Sequence, residues 1–267
     1  MNDTHIKSVR GRFSAAAGTY EVLATAQSMA ASHLLDTIPA DADGSRILEI
    51  GCGTGLLTAH LLKRFPETRL DAIDVSDRMI AQARARFSDD PRIRWFAADM
   101  RAFKPRDPYP LIVSNSSLHW LPHLQEGLRH LAGLLTPSGR LIFAIMLYGT
   151  LGELHETRAR VIPHKPPLRR LPRADEVMTA VATAGLRLVD SQVEDYKASY
   201  RGAAAFLRSL HDQGLTGGEL SRSMLPLTRG ELRALTEEYD HRFALEPGHV
   251  YATYRVLFIH ALKPVGA

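Results

Sequence analysis

The chain has 267 residues, enough for one α/β domain with an appendage or for two very small domains. Apolar residues make up 45% and charged residues 23%, ordinary values for a soluble globular protein, and a single cysteine excludes a disulfide framework or a multi-cysteine metal site. The formal charge of +4 is a moderate basic bias, and aromatic residues at 7% are too few for a nucleic-acid surface of interleaved cations and rings.

No signal-peptide core opens the chain, and no run approaches the ~18 apolar residues of a membrane helix, so a cytoplasmic protein free of membrane contact is expected. Residues 14–36 read as one Ala-rich helix with Tyr20, Leu23, Leu34 and Leu35 among its apolar positions, ended by the breakers between Pro39 and Gly44. From Arg46 strand and helix alternate. A strand at 46–50 is followed by a helix at 55–65 with Leu57, Leu61 and Leu62 on one side. A second strand covers 69–75, and Met79, Ala83 and Phe87 recur every four residues on the next helix. Strands at 92–97 and 111–114 precede a helical stripe of Leu124, Leu128, Leu131 and Leu135, which stops at the turn signal Thr136-Pro137-Ser138-Gly139. Residues 140–147 form a fifth strand. Beyond 148 the pattern changes to helices at 151–161 and 175–184, a strand from 187 to about 196, helices at 203–211 and 229–243, and a closing strand at 250–262.

This alternation predicts an α/β fold, a doubly wound, mostly parallel sheet with a helical cap. We expect one domain over 1–267: a lid helix at 14–36, a ligand-binding core at 46–147, cap and later elements at 148–249, and a final strand at 250–262.

Chemistry concentrates at the strand ends. After the first strand comes Glu49-Ile50-Gly51-Cys52-Gly53-Thr54-Gly55. Glycines there let backbone approach a ligand, and the helix that follows offers unpaired N–H groups. The spacing of Gly51, Gly53 and Gly55 is not that of a pyrophosphate-binding G-x-G-x-x-G loop. Glu49 is suited to the cationic end of an amino-acid-like ligand, and Asp74, ending the second strand, to ribose hydroxyls. Asp99 after the third strand is suited to the exocyclic amine of adenine, and Ser114-Asn115-Ser116-Ser117-Leu118-His119 follows the fourth. Cys52 reads as a small filler, with no neighbouring base to activate it.

This constellation resembles the class I S-adenosylmethionine-dependent methyltransferases over roughly residues 46–147, implying a seven-stranded sheet. By that resemblance Glu49, Gly51, Cys52, Gly53 and Gly55 flank the methionine part of S-adenosyl-L-methionine. Asp74 holds the ribose, Val75 and Met79 lie near it, Asp99 and Met100 contact adenine, and Asn115 and Leu118 sit by the sulfonium. The flanks narrow the resemblance. Phe13-Ser14-Ala15-Ala16-Ala17-Gly18-Thr19-Tyr20-Glu21, His119-Trp120, Gly149-Thr150-Leu151-Gly152-Glu153-Leu154-His155, Leu207-Arg208-Ser209-Leu210 and Thr253-Tyr254 are similar, in order, to the malonyl-carrier-protein O-methyltransferases of biotin synthesis.

That family methylates the free carboxylate of malonyl held on an acyl carrier protein. The carboxylate is ionised at neutral pH, so no general base is required and no catalytic acid or base is named. A bidentate arginine would withdraw electron density from the attacking oxygen, so one charged contact with softer donors is expected. The candidates are Tyr20, Gln27, His119, Trp120, Arg208 and Tyr254. The segment from His164 to Arg173 carries Lys165, Arg169, Arg170 and Arg173 and no acid. It reads either as a docking surface for an acidic carrier protein or as an exposed Pro-rich connecting loop. The working expectation for assembly is a monomer. A trans-aconitate type of carboxyl methyltransferase shares the first four strands and the His-Trp pair. A non-catalytic cofactor-binding subunit would keep Glu49 to Gly55 and Asp74. A protein or nucleic-acid N-methyltransferase is disfavoured, since Asn115-Ser116-Ser117-Leu118 stands where an Asn/Asp-Pro-Pro-Tyr motif is common.

Overall fold

Helices shield an apolar sheet whose inner strands are the most hydrophobic runs of the chain. The computed structural model describes residues 3–19, 25–88, 90–216 and 225–266. Two helices lead, α1 (Asp3–Ala16) and α2 (Thr25–Thr37). Then β1 (Arg46–Ile50), α3 (Leu56–Arg64), β2 (Arg69–Asp74), α4 (Asp77–Phe87), β3 (Ile93–Ala97) and β4 (Tyr109–Asn115) alternate. They are followed by α5 (Leu124–Leu134), β5 (Leu135–Met146), α6 (Gly152–Val161), α7 (Ala174–Thr183) and β6 (Arg187–Tyr200). The chain closes with α8 (Gly202–Asp212), α9 (Arg229–Arg242), β7 (Ala244–Glu246) and β8 (His249–Leu262).

The sheet order is β3-β2-β1-β4-β5-β8-β6, with the short β7 added on β8. The first five strands pair parallel, whereas β8 runs antiparallel to both β5 and β6. Strands covered on both faces need apolar side chains throughout, and Ile47, Leu48, Leu111, Ile112 and Val113 are fully buried. One face packs on α2, α3, α8 and α9 through Leu34, Leu61, Phe206 and Tyr239, and the other on α5 and α7 through Leu128, Leu131, Val177 and Val181. The strand order reverses between β1 and β4, which sets the carboxyl ends of these two strands side by side as a ligand crevice.

The expected single helix over 14–36 is corrected. Helix α1 ends at Ala16, and a turn at 17–19 follows, where Thr19 N–H closes on the Ala16 carbonyl at 3.0 Å in the three-residue spacing of a tightened last turn. The turn signal at Thr136–Gly139 becomes an irregularity inside β5. Its register against β4 jumps from Leu135 to Arg140, with Ser138 in the left-handed region at φ 59°. Strand β6 runs on to Tyr200 because β8 offers partners along its whole length.

Candidate active site

The loop after β1 is fixed by two strands at once. Gly51 and Cys52 both donate to the Ile73 carbonyl of β2, at 2.8 and 3.0 Å. Ser117 Oγ, from the segment after β4, donates to the Ile50 carbonyl at 3.1 Å. Gly51, Gly53 and Gly55 all have positive φ, at 68°, 54° and 88°. A Cβ on Gly51 would lie 2.3 Å from the Ser117 Cβ. One on Gly53 would meet nothing within 4 Å and would project into open space. That space is a cleft lined by Gly51, Gly53, Asp74, Val75, Met79, Asp99, Met100, Asn115 and Leu118, all residues expected at the cofactor.

Asp74 organises this cleft. Its Oδ2 accepts from Gly53 N–H at 3.0 Å and its Oδ1 from Ser76 N–H at 2.8 Å, leaving a further lone pair on each oxygen for a ligand. Burial pushes its carboxyl up to about 6, against the pull of those two N–H groups. Asp99 caps the short 3₁₀ turn Met100–Ala102 and grips Arg101 through both carboxylate oxygens. Burial alone would raise its pKa, but the Arg101 contacts hold it below the usual value. The amide of Asn115 donates to the Gln27 carbonyl at 2.9 Å, tying β4 to α2.

Glu49 and Cys52 are corrected, since neither lines the cleft. Strand alternation turns Glu49 towards α3, where Thr58 Oγ1 donates to its Oε2 at 2.6 Å and the residue is 1% exposed. Burial pushes its carboxyl up to about 8, Thr58 opposes that, and the Asp74 charge adds to it. The Cys52 thiol is packed in the core, with its pKa raised by burial and the carboxylates of Glu49 and Asp74.

Helix α1 forms the roof of the cleft. Ile6, Val9 and Phe13 project into it from one helical face, and Phe13 meets Trp120 edge-to-face at 5.4 Å. His5 Nε2 bonds the Trp120 carbonyl at 2.8 Å, and Ser14 Oγ bonds Ser76 Oγ at 2.8 Å. The roofing role expected of 14–36 thus falls mainly on residues before 14.

A second cavity, about 1130 Å³, adjoins the first and shares Phe13, Ser116 and Trp120 with it. Gln27, His119, Trp120, Arg208 and Tyr254, the candidates named above for the acceptor, all line it; Tyr20 lies outside the described residues. Sequence reasoning missed Ser116, His155 and Arg158 here. Among the described residues the lining holds four arginines and three histidines and no carboxylate. Arg158 on α6 is buried and donates to the Lys165 carbonyl at 2.9 Å. Arg169 donates from Nη2 to the His119 and Leu121 carbonyls at 3.3 and 2.8 Å. Arg208 on α8 is exposed, with no acidic partner among the described residues. Glu153 fixes the cavity wall by accepting from Thr253 N–H (3.1 Å) and Oγ1 (2.5 Å), which pins α6 to β8 and turns Leu154 and His155 to the cavity.

The docking expectation for the basic segment is corrected in part. Lys165 is buried, with Nζ 2.7 Å from Glu231 Oε2 and 2.9 Å from the Pro226 carbonyl, so it offers no charge to a partner. Arg170 is neutralised by a two-armed pair with Glu176 at 2.8 and 2.5 Å. Arg173 is exposed and stacks over the Tyr148 ring at 4.4 Å. The segment is chiefly a wall of the second cavity.

A doubly wound sheet with β8 antiparallel beside β5, a glycine loop at the switch point and a roofed cleft below it define a class I methyltransferase, an enzyme that uses S-adenosylmethionine. A model described as a methyltransferase domain matches residues 48–141. Solved structures with the same fold include YcgJ from Bacillus subtilis (TM-score 0.62, 15% identity, 89% of this chain and 99% of that one). Another is the N-methyltransferase NodS from Bradyrhizobium japonicum with S-adenosyl-L-homocysteine (TM-score 0.53, 19% identity, 88% and 85%). The malonyl-[acyl-carrier protein] O-methyltransferase of a Paenibacillus species is 32% identical over 266 residues, 92% of this chain and 94% of the relative. That of Anoxybacillus flavithermus is 32% identical over 252 residues, 93% and 94%. The chain belongs to the malonyl-[acyl-carrier protein] O-methyltransferase family.

The cleft fits the cofactor. Its one open Cβ position, at Gly53, leaves room for a ligand against backbone; Asp74 supplies acceptors for hydroxyls; and Val75, Met79, Met100 and Leu118 supply apolar walls. Among the described residues no helix is long and apolar enough to cross a membrane, and no group of His, Cys, Asp and Glu is placed to hold a metal.

Proposed function

We propose that this enzyme methylates the free carboxylate of a malonyl thioester carried on an acyl carrier protein, in the cytoplasm, giving the malonyl methyl ester that primes biotin synthesis. The observation that carries the reading is the junction at Phe13, Ser116 and Trp120, where the cofactor cleft opens on a cavity rich in arginine and, among the described residues, lined by no carboxylate. Such a lining favours an anion, and its leucines suit the thioester arm behind the carboxylate.

We assign Asp74 to the ribose, Val75, Met79 and Met100 to the adenosine, and Gly51, Gly53 and Asn115 to the methionine part. Asp99 stands at the adenine end with its carboxylate committed to Arg101. S-adenosylmethionine, when bound, supplies a methyl on a sulfonium, which one carboxylate oxygen takes while both electrons of the old bond stay on sulfur and no proton moves. The chain therefore needs only to bind, orient and exclude water. Phe13 and Trp120 close the junction to solvent, and Arg158 and Arg208 draw the carboxylate in. Gln27, held near Gln213 Oε1 at 3.4 Å, and Tyr254, paired with the Tyr200 hydroxyl at 2.8 Å, shape the end of the cavity. Arg173, exposed in the basic segment, is the cation we assign to meeting the carrier protein.

The test offers malonyl-carrier protein, malonyl-CoA and trans-aconitate to the purified enzyme with methyl-labelled cofactor. Ester formation on the carrier-bound malonyl is the expected outcome, and label confined to the small free acid overturns the reading.

A further inference from the structure

His119 is a buried side chain in ring contact with Trp120 (centroids 5.0 Å apart), but the fold leaves its Nδ1 without a hydrogen bond. The residue is 6% exposed and lines the acceptor cavity. Its Nδ1 is wholly buried and makes no hydrogen bond. Its Nε2 is not shut away in the same manner, which leaves it as the ring nitrogen available to the cavity. The backbone beneath it is clamped from two sides. Arg169 holds the His119 and Leu121 carbonyls from the cap, and His5 holds the Trp120 carbonyl from α1. Leu121 N–H closes the 3₁₀ turn on the Leu118 carbonyl at 3.1 Å, and Leu118 lines the cofactor cleft. An imidazole set so firmly at the junction, with an orphan nitrogen behind it, is built to meet something in the cavity.

We propose that His119 is a neutral hydrogen-bond donor that fixes one oxygen of the acceptor carboxylate through Nε2–H, keeping Nδ1 unprotonated. This rests on the carboxyl-methylation reading given above. A buried N–H without an acceptor is rarer and costlier than an unused lone pair, so the proton belongs on the nitrogen that faces the cavity. The charged form is suppressed by burial and then by the neighbouring Arg169, which together push the imidazole down to about 3. Besides Arg169, the other titratable groups lining the cavity among the described residues are Arg158, Arg170, Arg208, His155, His211, Tyr148 and Tyr254, and no carboxylate among them is placed to restore the charge.

A neutral donor suits the chemistry. A full positive charge at the carboxylate would stabilise the ground-state anion more than the transition state, in which that charge is being lost. A single N–H fixes the geometry and leaves the second oxygen free to attack. His119 is not needed as a base, because the reaction releases no proton.

Two measurements test this. The first is kinetics with malonyl-carrier protein, with cofactor affinity determined separately by calorimetry. H119A should lower kcat/KM roughly 10- to 100-fold, the worth of a hydrogen bond to a charged group, with cofactor affinity unchanged. H119Q, which keeps a neutral N–H donor, should recover most of that loss. The second uses the wild-type enzyme and so does not depend on a variant folding: long-range nitrogen–proton NMR of ¹⁵N-histidine protein should show His119 as the Nε2–H tautomer, unchanged between pH 5.5 and 8. Normal kcat/KM in H119A, an Nδ1–H tautomer, or protonation of His119 within that range overturns the proposal. A wild-type enzyme that transfers no methyl to malonyl-carrier protein overturns instead the reading on which it rests.

Discussion

The cofactor cleft and the acceptor cavity touch at three residues yet are built on different principles. The cleft sits at the ends of adjacent parallel strands, where strand order brings Gly51, Asp74, Ala98 and Asn115 together beneath the side chains of α1. The cavity is made of side chains from α2, the turn after β4, α6, the basic segment, α8 and β8, gathered by packing of the cap. A cleft set by strand order tolerates little change at the loop and strand ends that form it. A cavity set by side chains can be recast without disturbing the sheet. On the proposed reading the comparison divides the labour: the shared sheet carries the cofactor, and the cap carries the choice of acceptor.

The strongest way to break the first half of this comparison is G51V. The substitution forces a β-branched residue to φ 68° and drives its Cβ to within 2.3 Å of Ser117. Strain of that kind, with overpacking, costs about 2–5 kcal/mol. Calorimetry should find no cofactor binding, and thermal denaturation should show a protein well below wild-type stability. Retained affinity would mean that the loop is not the cofactor site.

Next in size is R169M, which probes where the two regions join. Arg169 reaches from the cap to the carbonyls of the turn that carries both Leu118, on the cleft, and His119, on the cavity. Losing these charge-assisted bonds should cost roughly 1.5–3 kcal/mol in kcat/KM, with a smaller weakening of cofactor binding. A change confined to the KM for the carrier protein would restore Arg169 to the docking role expected from sequence.

What was legible in the sequence divides along the same line. The strand–helix alternation, the glycine loop and Asp74 could be read because each depends on residues close in the chain or at repeating strand ends. The orientation of Glu49 and Cys52 was missed, since proximity to the loop does not say which face of the strand a side chain takes. The roof at Ile6, Val9 and Phe13 was written at helical spacing, but the expected helix began eight residues too late to include Ile6. Lys165 read as an exposed cation because its partner Glu231 lies 66 residues away. Arg158 was invisible for a similar reason: an arginine on a helix reads as a solvated face until a cavity is built beside it.

A smaller effect sharpens the electrostatics of the cleft. In the folded chain Glu49 and Asp74 titrate at about 8 and about 6, above the values near 4 expected when unfolded. Between pH ~4 and ~8 the folded chain therefore holds more protons, and stability from these groups declines as pH rises through that window. A bound sulfonium and ammonium favour the ionised carboxylates, so the rise in melting temperature on adding cofactor should grow from pH 6 to pH 8, by roughly a few degrees. E49Q should flatten the part of that trend between pH 7 and 8. An unchanged trend in the variant would assign the protons to other groups.

The smallest effect belongs to the rim of the acceptor cavity. Arg170 is exposed and already paired with Glu176, whereas Arg173 is exposed and stacked on Tyr148. Exposed charges act mainly on encounter rate, and each is worth about 1 kcal/mol or less. R173Q should raise the KM for malonyl-carrier protein about two- to threefold at low salt, with kcat and the KM for malonyl-CoA unchanged. R170Q should do less, because its charge is already answered by Glu176. The difference should vanish as salt is raised, since screening removes steering over distances beyond about 10 Å. Equal losses with carrier protein and CoA would place Arg173 inside the substrate contacts and move the boundary between rim and cavity inward by one residue layer.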